Sequence, residues 1–432
     1  MYKINYGLRS VFSVFVLLAL SAATISCGMS ERVQRTSRYL KKQGKLITFR
    51  EYISNVNKSL SDTNPLEITI LNLEGRGLKD IEGIQKFTNL KELNLSKNEI
   101  RNLNPLKALV NLEWVNLSHN RIISVKPLSE LGNLEYLSLG FNNISDAGSI
   151  ANLTQLKKLY LSNNQPLNYS FLEKLSDLQE LYLPAPEDLD ISAIRYLTNL
   201  EILGLEKPMY LSTTKKEEYL NSFLDISPVS DLQNLRVLEL FYDFPISGLD
   251  QTYINNLEKL TVLRESFNDK NFDLAFLKSA ENLKELFLAG PVKSYKPISY
   301  LKNLNKLNFY GDRDGLIENI DFLYPLTSLK ELYISRAKLD DISGLNGLVN
   351  LEILDLSRCN LSNIDGLIEL KGLRKLKVLN ISNNQITDIA PLLETEWLDE
   401  GCELNLAGNP LNDKSKNLYI KQLEAKGVDV RF

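Results

Sequence analysis

Apolar positions recur along this chain on a fixed ruler. In the stretch LEWVNLSHNRIISVKPLSELGNL, aliphatics fall at Leu112, Val115, Leu117, Ile122, Val125, Leu128 and Leu131, with an asparagine at Asn120. The pattern restarts at Leu134, a period of 134 − 112 = 22 residues. Counted by the first leucine of each LxxL, turns begin at Ile68, Leu90, Leu112, Leu134, Leu156, Leu178 and Leu200, every step being 22. Less regular starts follow at Leu235, Leu260, Leu283, Leu304, Leu329, Leu351, Leu376 and Gly401, giving 7 + 8 = 15 coils. A period in this range predicts a solenoid, in which each unit buries its apolar side only against its neighbours.

The pattern also predicts the shape of one coil. In LxxLxLxxN the alternating leucines place one side of a short strand in the core and turn the intervening residues outward. Strands of successive coils pair in parallel, so their outward residues pave one face. The asparagine turns the chain, and its amide can bond backbone groups of neighbouring coils that the turn leaves unpaired. Proline in the return segment (Pro105, Pro127, Pro228, Pro297, Pro391) favours non-helical or 3₁₀ turns.

The units NEIRNLNPLKALVNL and HNRIISVKPLSELGNL resemble the short leucine-rich repeats of bacterial internalin-type proteins. The likeness runs from about Ile68 onward. The final segment, AGNPLNDKSKNLYIKQLEAKGVDVRF, resembles the terminal cap of such arrays, a helix followed by a short strand at Val428 to Val430. The expected fold is therefore α/β: a leucine-rich repeat solenoid with a curved parallel sheet on its concave side and 3₁₀ or irregular turns on its convex side. A helix closes one end, a helix and strand the other. What the resemblance implies about function is ligand recognition, usually of a protein, on the concave sheet. It carries no particular receptor with it.

Before the repeats, Lys3 and Arg9 precede an apolar run from Val11 to Ala19, then the small residues Ser21, Ala22 and Ala23. That is the layout of a secretory signal over residues 1–26. Ser26-Cys27-Gly28 resembles a bacterial lipobox, which implies lipidation of Cys27; Thr24 stands where such signals usually carry leucine. Cleavage near Ala23 or an uncleaved anchor is the alternative. Residues 27–45 form a basic tether with Arg32, Arg35, Arg38, Lys41, Lys42 and Lys45 against Glu31. Beside a lipid anchor it would lie against anionic headgroups; otherwise it is a solvated linker. Phe49, Tyr52, Ile53, Val56 and Leu60 recur at helical spacing, which predicts a helical cap over 46–66. The repeats then occupy 67–409 and the terminal cap 410–432. The expected location is the outer membrane or cell surface, with repeats facing the periplasm as the alternative.

Composition narrows the chemistry. Among 432 residues, 50 basic side chains balance 54 acidic ones, which argues against a nucleic-acid binder. His119 is the single histidine, and Cys27, Cys359 and Cys402 are the three cysteines. That set is thin for a metal site or a histidine base, and the sequence offers no nucleophile–base set or phosphate-binding glycine loop. The expectation is no enzyme, no cofactor and no metal. Cys359 falls at the asparagine position, as a buried structural thiol. Cys402 lies 402 − 359 = 43 residues away, about two coils along, so no disulfide is expected. Asp312-Arg313-Asp314-Gly315 starts like a calcium loop but lacks the downstream glutamate, and reads as a turn. His119 is expected at a coil edge, solvated.

The asparagine column reads Arg76, Asn98, Asn120, Asn142 and Asn164, then Pro186, Pro208, Asp243, Asn268, Pro291, Asp312, Ala337 and Cys359, before Asn384 and Asn409 restore it. The middle of the array also holds an insertion, LSTTKKEEYLNSF, at 211–223. Such irregularity marks a functional site or drift in a tolerant solenoid.

The outward strand positions (third, fifth and seventh of each coil) are small and polar in the early and late coils, such as Asn72, Asn94, Ser96, Asn380 and Ser382. Between them stand Trp114, Tyr136, Tyr160, Tyr182, Phe241, Phe287, Tyr310 and Tyr333, with Glu180, Glu206, Glu239, Arg264, Glu285, Lys306 and Glu331 among them. Aromatics on an exposed sheet are anchors for a protein partner, because they cover much area with few rotatable bonds. A simple cross-strand stack accounts for Tyr160 and Tyr182 but not for the spread. The candidate partner-binding set is Trp114, Tyr136, Tyr160, Glu180, Tyr182, Phe241, Phe287, Tyr310 and Tyr333. Carbohydrate is the lesser alternative ligand, and an envelope scaffold without an external ligand the alternative function.

Overall fold

The computed structural model describes residues 47–56, 64–165, 167–185, 190–206, 224–241, 246–247, 256–263, 272–290, 292–311, 319–339 and 341–432. Cys27 and its signal, the basic tether, the 211–223 insertion, Pro186, Pro208, Asp243, Arg264, Asn268, Pro291 and the Asp312–Gly315 turn lie outside them.

Among the described residues, sixteen parallel strands form one sheet, laid down in chain order from Ile70–Asn72 to Asp429–Arg431. The inner aliphatic residue of a strand meets that of the next coil, as Leu93 meets Val115 and Val115 meets Leu137. These side chains are wholly buried, and each contributes about 1.5–3 kcal/mol by leaving water. The opposite wall is a row of 3₁₀ turns, with proline leading Asn104–Ala108, Lys126–Leu128, Ser227–Asp231 and Lys296–Tyr300. Proline is the second residue of each, and its fixed φ suits this opening part of the turn, where no N–H is needed. Pro391 instead sits in a one-turn α-helix, Ala390–Leu393.

The asparagines do what their spacing predicts. Asn120 accepts from the Ile100 N–H at 3.0 Å and donates to the carbonyls of Leu95 and Leu117 at 2.9 and 3.0 Å. It therefore ties its own coil to the one before. Asn98, Asn142, Asn164, Asn384 and Asn409 repeat this geometry. Cys359 is buried in the same column and donates its thiol to the Ile334 carbonyl at 3.1 Å. Having no amide oxygen to offer, it leaves the Leu339 N–H to bond the Cys359 carbonyl at 3.2 Å. Burial pushes the Cys359 thiol up to about 12. Cys402 is likewise a free, buried thiol, held by the Leu376 carbonyl at 3.2 Å.

A second asparagine column, in the Asn-Leu pair before each strand, runs along the outside. Asn89, Asn111, Asn133, Asn199, Asn234 and Asn256 each donate to a carbonyl one coil back at 2.7–3.1 Å.

One coil is phased differently from the sequence reading. Lys259 pairs with Val237 and Leu260 with Leu238, so Leu260 is the fourth residue of its coil, which begins at Leu257. The steps become 257 − 235 = 22 and 283 − 257 = 26. LEKLTVL contains two overlapping LxxL frames, and only strand register chooses between them. The outward residues there are Lys259 and Thr261.

The apolar core is covered at both ends. Helix Phe49–Glu51 continues as a π-turn, Tyr52–Val56, and starts at a capping box in which Thr48 and Glu51 bond each other's backbone at 3.1 and 2.7 Å. Its Phe49 and Tyr52 are buried, and Phe49 meets Phe87 edge-on at 6.1 Å. Ile47 bridges to Leu78, anchoring the helix to the first coil. At the other end the helical run Ser415–Ala425 inserts Tyr419, Ile420 and Leu423 over the last coil, and Asp429–Arg431 completes the sheet.

Candidate partner-binding face

Strands rise with little bulk between coils, whereas 3₁₀ turns crowd the far wall, so the sheet lines the inside of the curve. Fifteen steps between sixteen strands span roughly 70 Å at about 4.8 Å each. All nine candidate residues are on this face and partly exposed, but the structure divides them.

Four aromatics form one continuous row, two stacked pairs joined by a contact tilted at 45°. Trp114 and Tyr136 are register partners, with centroids 4.7 Å apart and planes within 14°. Tyr136 continues to Tyr160, two positions farther along the next strand, at 5.3 Å. Tyr160 then stacks on its register partner Tyr182 at 5.4 Å and 16°. The next residue in that row is Gly204. A Cβ there would overlap the Tyr182 ring; glycine lets the ring lie across the strand. The Tyr182 hydroxyl thereby reaches Glu239, two strands away, and donates at 3.2 Å.

Acids pin this stack in place. Glu180 accepts from the Tyr160 hydroxyl and from Lys158 at 2.9 Å. Glu239, nearly buried, takes Tyr182 and Lys259 at 3.2 Å each. Burial and these carboxylates raise the Tyr160 and Tyr182 hydroxyls well above the usual tyrosine range, and burial pushes Tyr136 up to about 12. The hydroxyls thus stay protonated as donors. Lys158 and Lys259 neutralise Glu180 and Glu239 internally, and rotamer freedom is spent before any ligand arrives, which lowers the entropy cost of binding.

Glu206 lies beside the stack, in register with Pro184 and Phe241. Burial, opposed by a hydrogen bond from Ser162 and reinforced by Glu239, raises its carboxyl to about 7. Phe241 shares its row but not the stack. The remaining aromatics form a second group. Tyr333 bonds Glu331 at 3.1 Å and lies under Lys306, which itself pairs with Glu331 at 2.6 Å. Tyr310 sits beneath Arg336, 4.8 Å from the ring centre, and Phe287 lies between Thr261 and Asn308. Tyr333 also borders a shallow cleft of about 270 Å³ floored by Ile353 and Val378.

Two residues extend the face beyond the sequence reading. His119 is not freely solvated: it stacks on Phe141 at 4.1 Å and 10°. Burial, with Lys97 adding to it, lowers the His119 pKa. Both occupy the eighth position of their coils with φ of 55° and 58°, a left-handed conformation that costs non-glycine residues about 1–2 kcal/mol. The recurring Ser-His-Asn, Gly-Phe-Asn and Ser-Asn-Asn triplets mark the position; nothing in them shows that the rings meet.

Leucine-rich repeat models match residues 110–152, 132–174, 327–369 and 349–394 as pairs of repeats and 88–103 as a single one. The fold is that of a leucine-rich repeat solenoid. A leucine-rich repeat protein of Leptospira interrogans is 25% identical, covering 88% of this chain and 98% of its own, with a TM-score of 0.59. TLR13, in a complex with ssRNA13, is 22% identical over 84% of this chain and 54% of its own, TM-score 0.58. An internalin from Listeria monocytogenes is 23% identical over 85% and 88%, TM-score 0.46. Comparison with curated protein sequences gives no match. Among the described residues of this solenoid, no helix is long and apolar enough to cross a membrane, and no three His, Cys, Asp or Glu side chains gather as metal ligands.

Proposed function

We propose that this is an exported, lipid-anchored recognition protein that holds a partner protein on its concave sheet. The observation that carries this reading is the pinned stack of Trp114, Tyr136, Tyr160 and Tyr182, a rigid aromatic surface of the kind that anchors protein interfaces. Phe241, Phe287, Tyr310 and Tyr333 extend the contact along the arc. The export and anchoring part rests on the signal-like residues 1–26 and Cys27. The near-balanced charge and the internally paired face favour a protein over a nucleic acid.

The test is capture by the full chain and by a variant carrying Tyr160→Ala, Tyr182→Ala, Phe287→Ala and Tyr333→Ala, with bound proteins identified by mass spectrometry. A partner retained by the native chain and lost by the variant, at unchanged circular dichroism, supports the face. Equal capture sinks it. Anchoring is tested separately by Cys27→Ala, which should release the protein from membranes, and by protease shaving of intact cells. Protection from shaving would move the repeats to the periplasmic side.

A further inference from the structure

The terminal strand Asp429–Arg431 has no strand on its outer edge among the described residues. Its bonds to Glu403–Asn405 use alternate residues: the Asp429 N–H donates to the Cys402 carbonyl at 2.9 Å, and the Arg431 carbonyl accepts from Leu406 at 2.6 Å. The residue between them must point its N–H and C=O the opposite way, so Val430 presents both to the open edge. Asp429 and Arg431 project from the concave face, exposed. Neither is ion-paired with a described residue, whereas Lys158, Lys259 and Lys306 at mid-face are all paired. Two apolar side chains are exposed at the same end: Phe432, 62% exposed, and Leu418 on the outer side of the cap helix, 45% exposed.

We propose that this edge joins two copies of the chain, strand to strand and antiparallel, about a twofold axis at Val430. The segment Asp-Val-Arg is complementary to itself in that arrangement. Val430 faces Val430 of the second copy and exchanges two N–H···O bonds with it. Asp429 then stands opposite Arg431 of the other copy, and the axis generates this ion pair twice. Head-to-tail growth onto the first strand would instead set Asp429 against Ile70 and Arg431 against Asn72, with no charge match. The twofold axis is perpendicular to the sheet, so both concave faces open to the same side. A pair would thus offer two recognition surfaces together, which raises avidity for a repeated or surface-fixed partner.

The experiment is sedimentation equilibrium of the full chain in mild detergent over a range of concentrations. The native chain should form a reversible dimer. Asp429→Arg and Arg431→Asp should each lower the association constant about tenfold or more, by setting like charges opposite each other. The double variant, Asp429→Arg with Arg431→Asp, restores complementarity and should dimerise as the native chain does. Val430→Pro removes the outward N–H and should also weaken the pair. Tyr160→Ala should not, which separates this edge from the concave-face reading. A native chain that stays monomeric, single variants that associate normally, or a double variant without rescue at native circular dichroism would each overturn the proposal.

Discussion

The asparagine column makes a prediction that runs against simple bond counting. Asn142 makes four hydrogen bonds: it accepts from Ile122 and donates to the carbonyls of Leu117, Leu139 and Gly140. Asn164 makes three, with Ile144, Leu139 and Leu161. Counting bonds makes Asn142→Ala the worse lesion. The acceptors, however, are shared. Leu117 also receives Asn120 at 3.0 Å, Leu139 also receives Asn164 at 3.0 Å, and Gly140 also receives the His119 N–H at 2.8 Å. Removing the Asn142 amide therefore orphans one group, the Ile122 N–H, at about 1–3 kcal/mol. Asn164 is followed by proline at the next asparagine position, and among the described residues no other donor reaches the Leu161 carbonyl. Its loss orphans that carbonyl as well as the Ile144 N–H, at about 2–6 kcal/mol together. Both variants should be assayed by urea unfolding followed by circular dichroism, with the slopes checked for equality before midpoints are compared. Asn164→Ala should unfold at the lower urea concentration. Equal midpoints, or a lower one for Asn142→Ala, would refute the shared-acceptor argument.

Other outcomes follow from single residues. Gly204→Ala should displace the Tyr182 ring, break its bond to Glu239 and weaken partner capture while the leucine core stays intact; near-ultraviolet circular dichroism and capture should change together. Gly347→Ala would drive a Cβ into the Tyr324 carbonyl of the preceding coil and should destabilise the fold by about 1–3 kcal/mol, read as a lowered thermal midpoint. Glu206 has a folded pKa raised from 4.5 to about 7, so the folded state holds an extra proton between those values. Its contribution is most favourable below about pH 4.5 and declines as pH rises through 7, by up to about 3 kcal/mol. Glu206→Gln should accordingly stabilise the protein at pH 8 more than at pH 5; an equal effect at both would remove the assignment. Cys359, buried with its thiol pushed up to about 12, should resist thiol reagents at neutral pH until the chain unfolds.

The 22-residue spacing by itself determined the solenoid, because leucines at fixed phase can be buried only by stacking. It also determined which side chains face outward, since strand alternation leaves no choice once the phase is known, and it located the asparagine column. Where two LxxL frames overlap, at Leu257 and Leu260, local sequence was ambiguous and pairing with the neighbouring strand decided. Tertiary structure alone brought Tyr182 across Gly204 to Glu239, 57 residues away, and set His119 on Phe141. It also gave the outer asparagines their carbonyl partners one coil back. The aromatic residues could be named from the chain, but not their division into a pinned stack and a separate second group. Periodicity specifies the direction in which a side chain leaves the backbone. Where its end comes to rest depends on the size and charge of residues one or two coils away, and in this protein those neighbours turn a row of aromatics into a rigid surface.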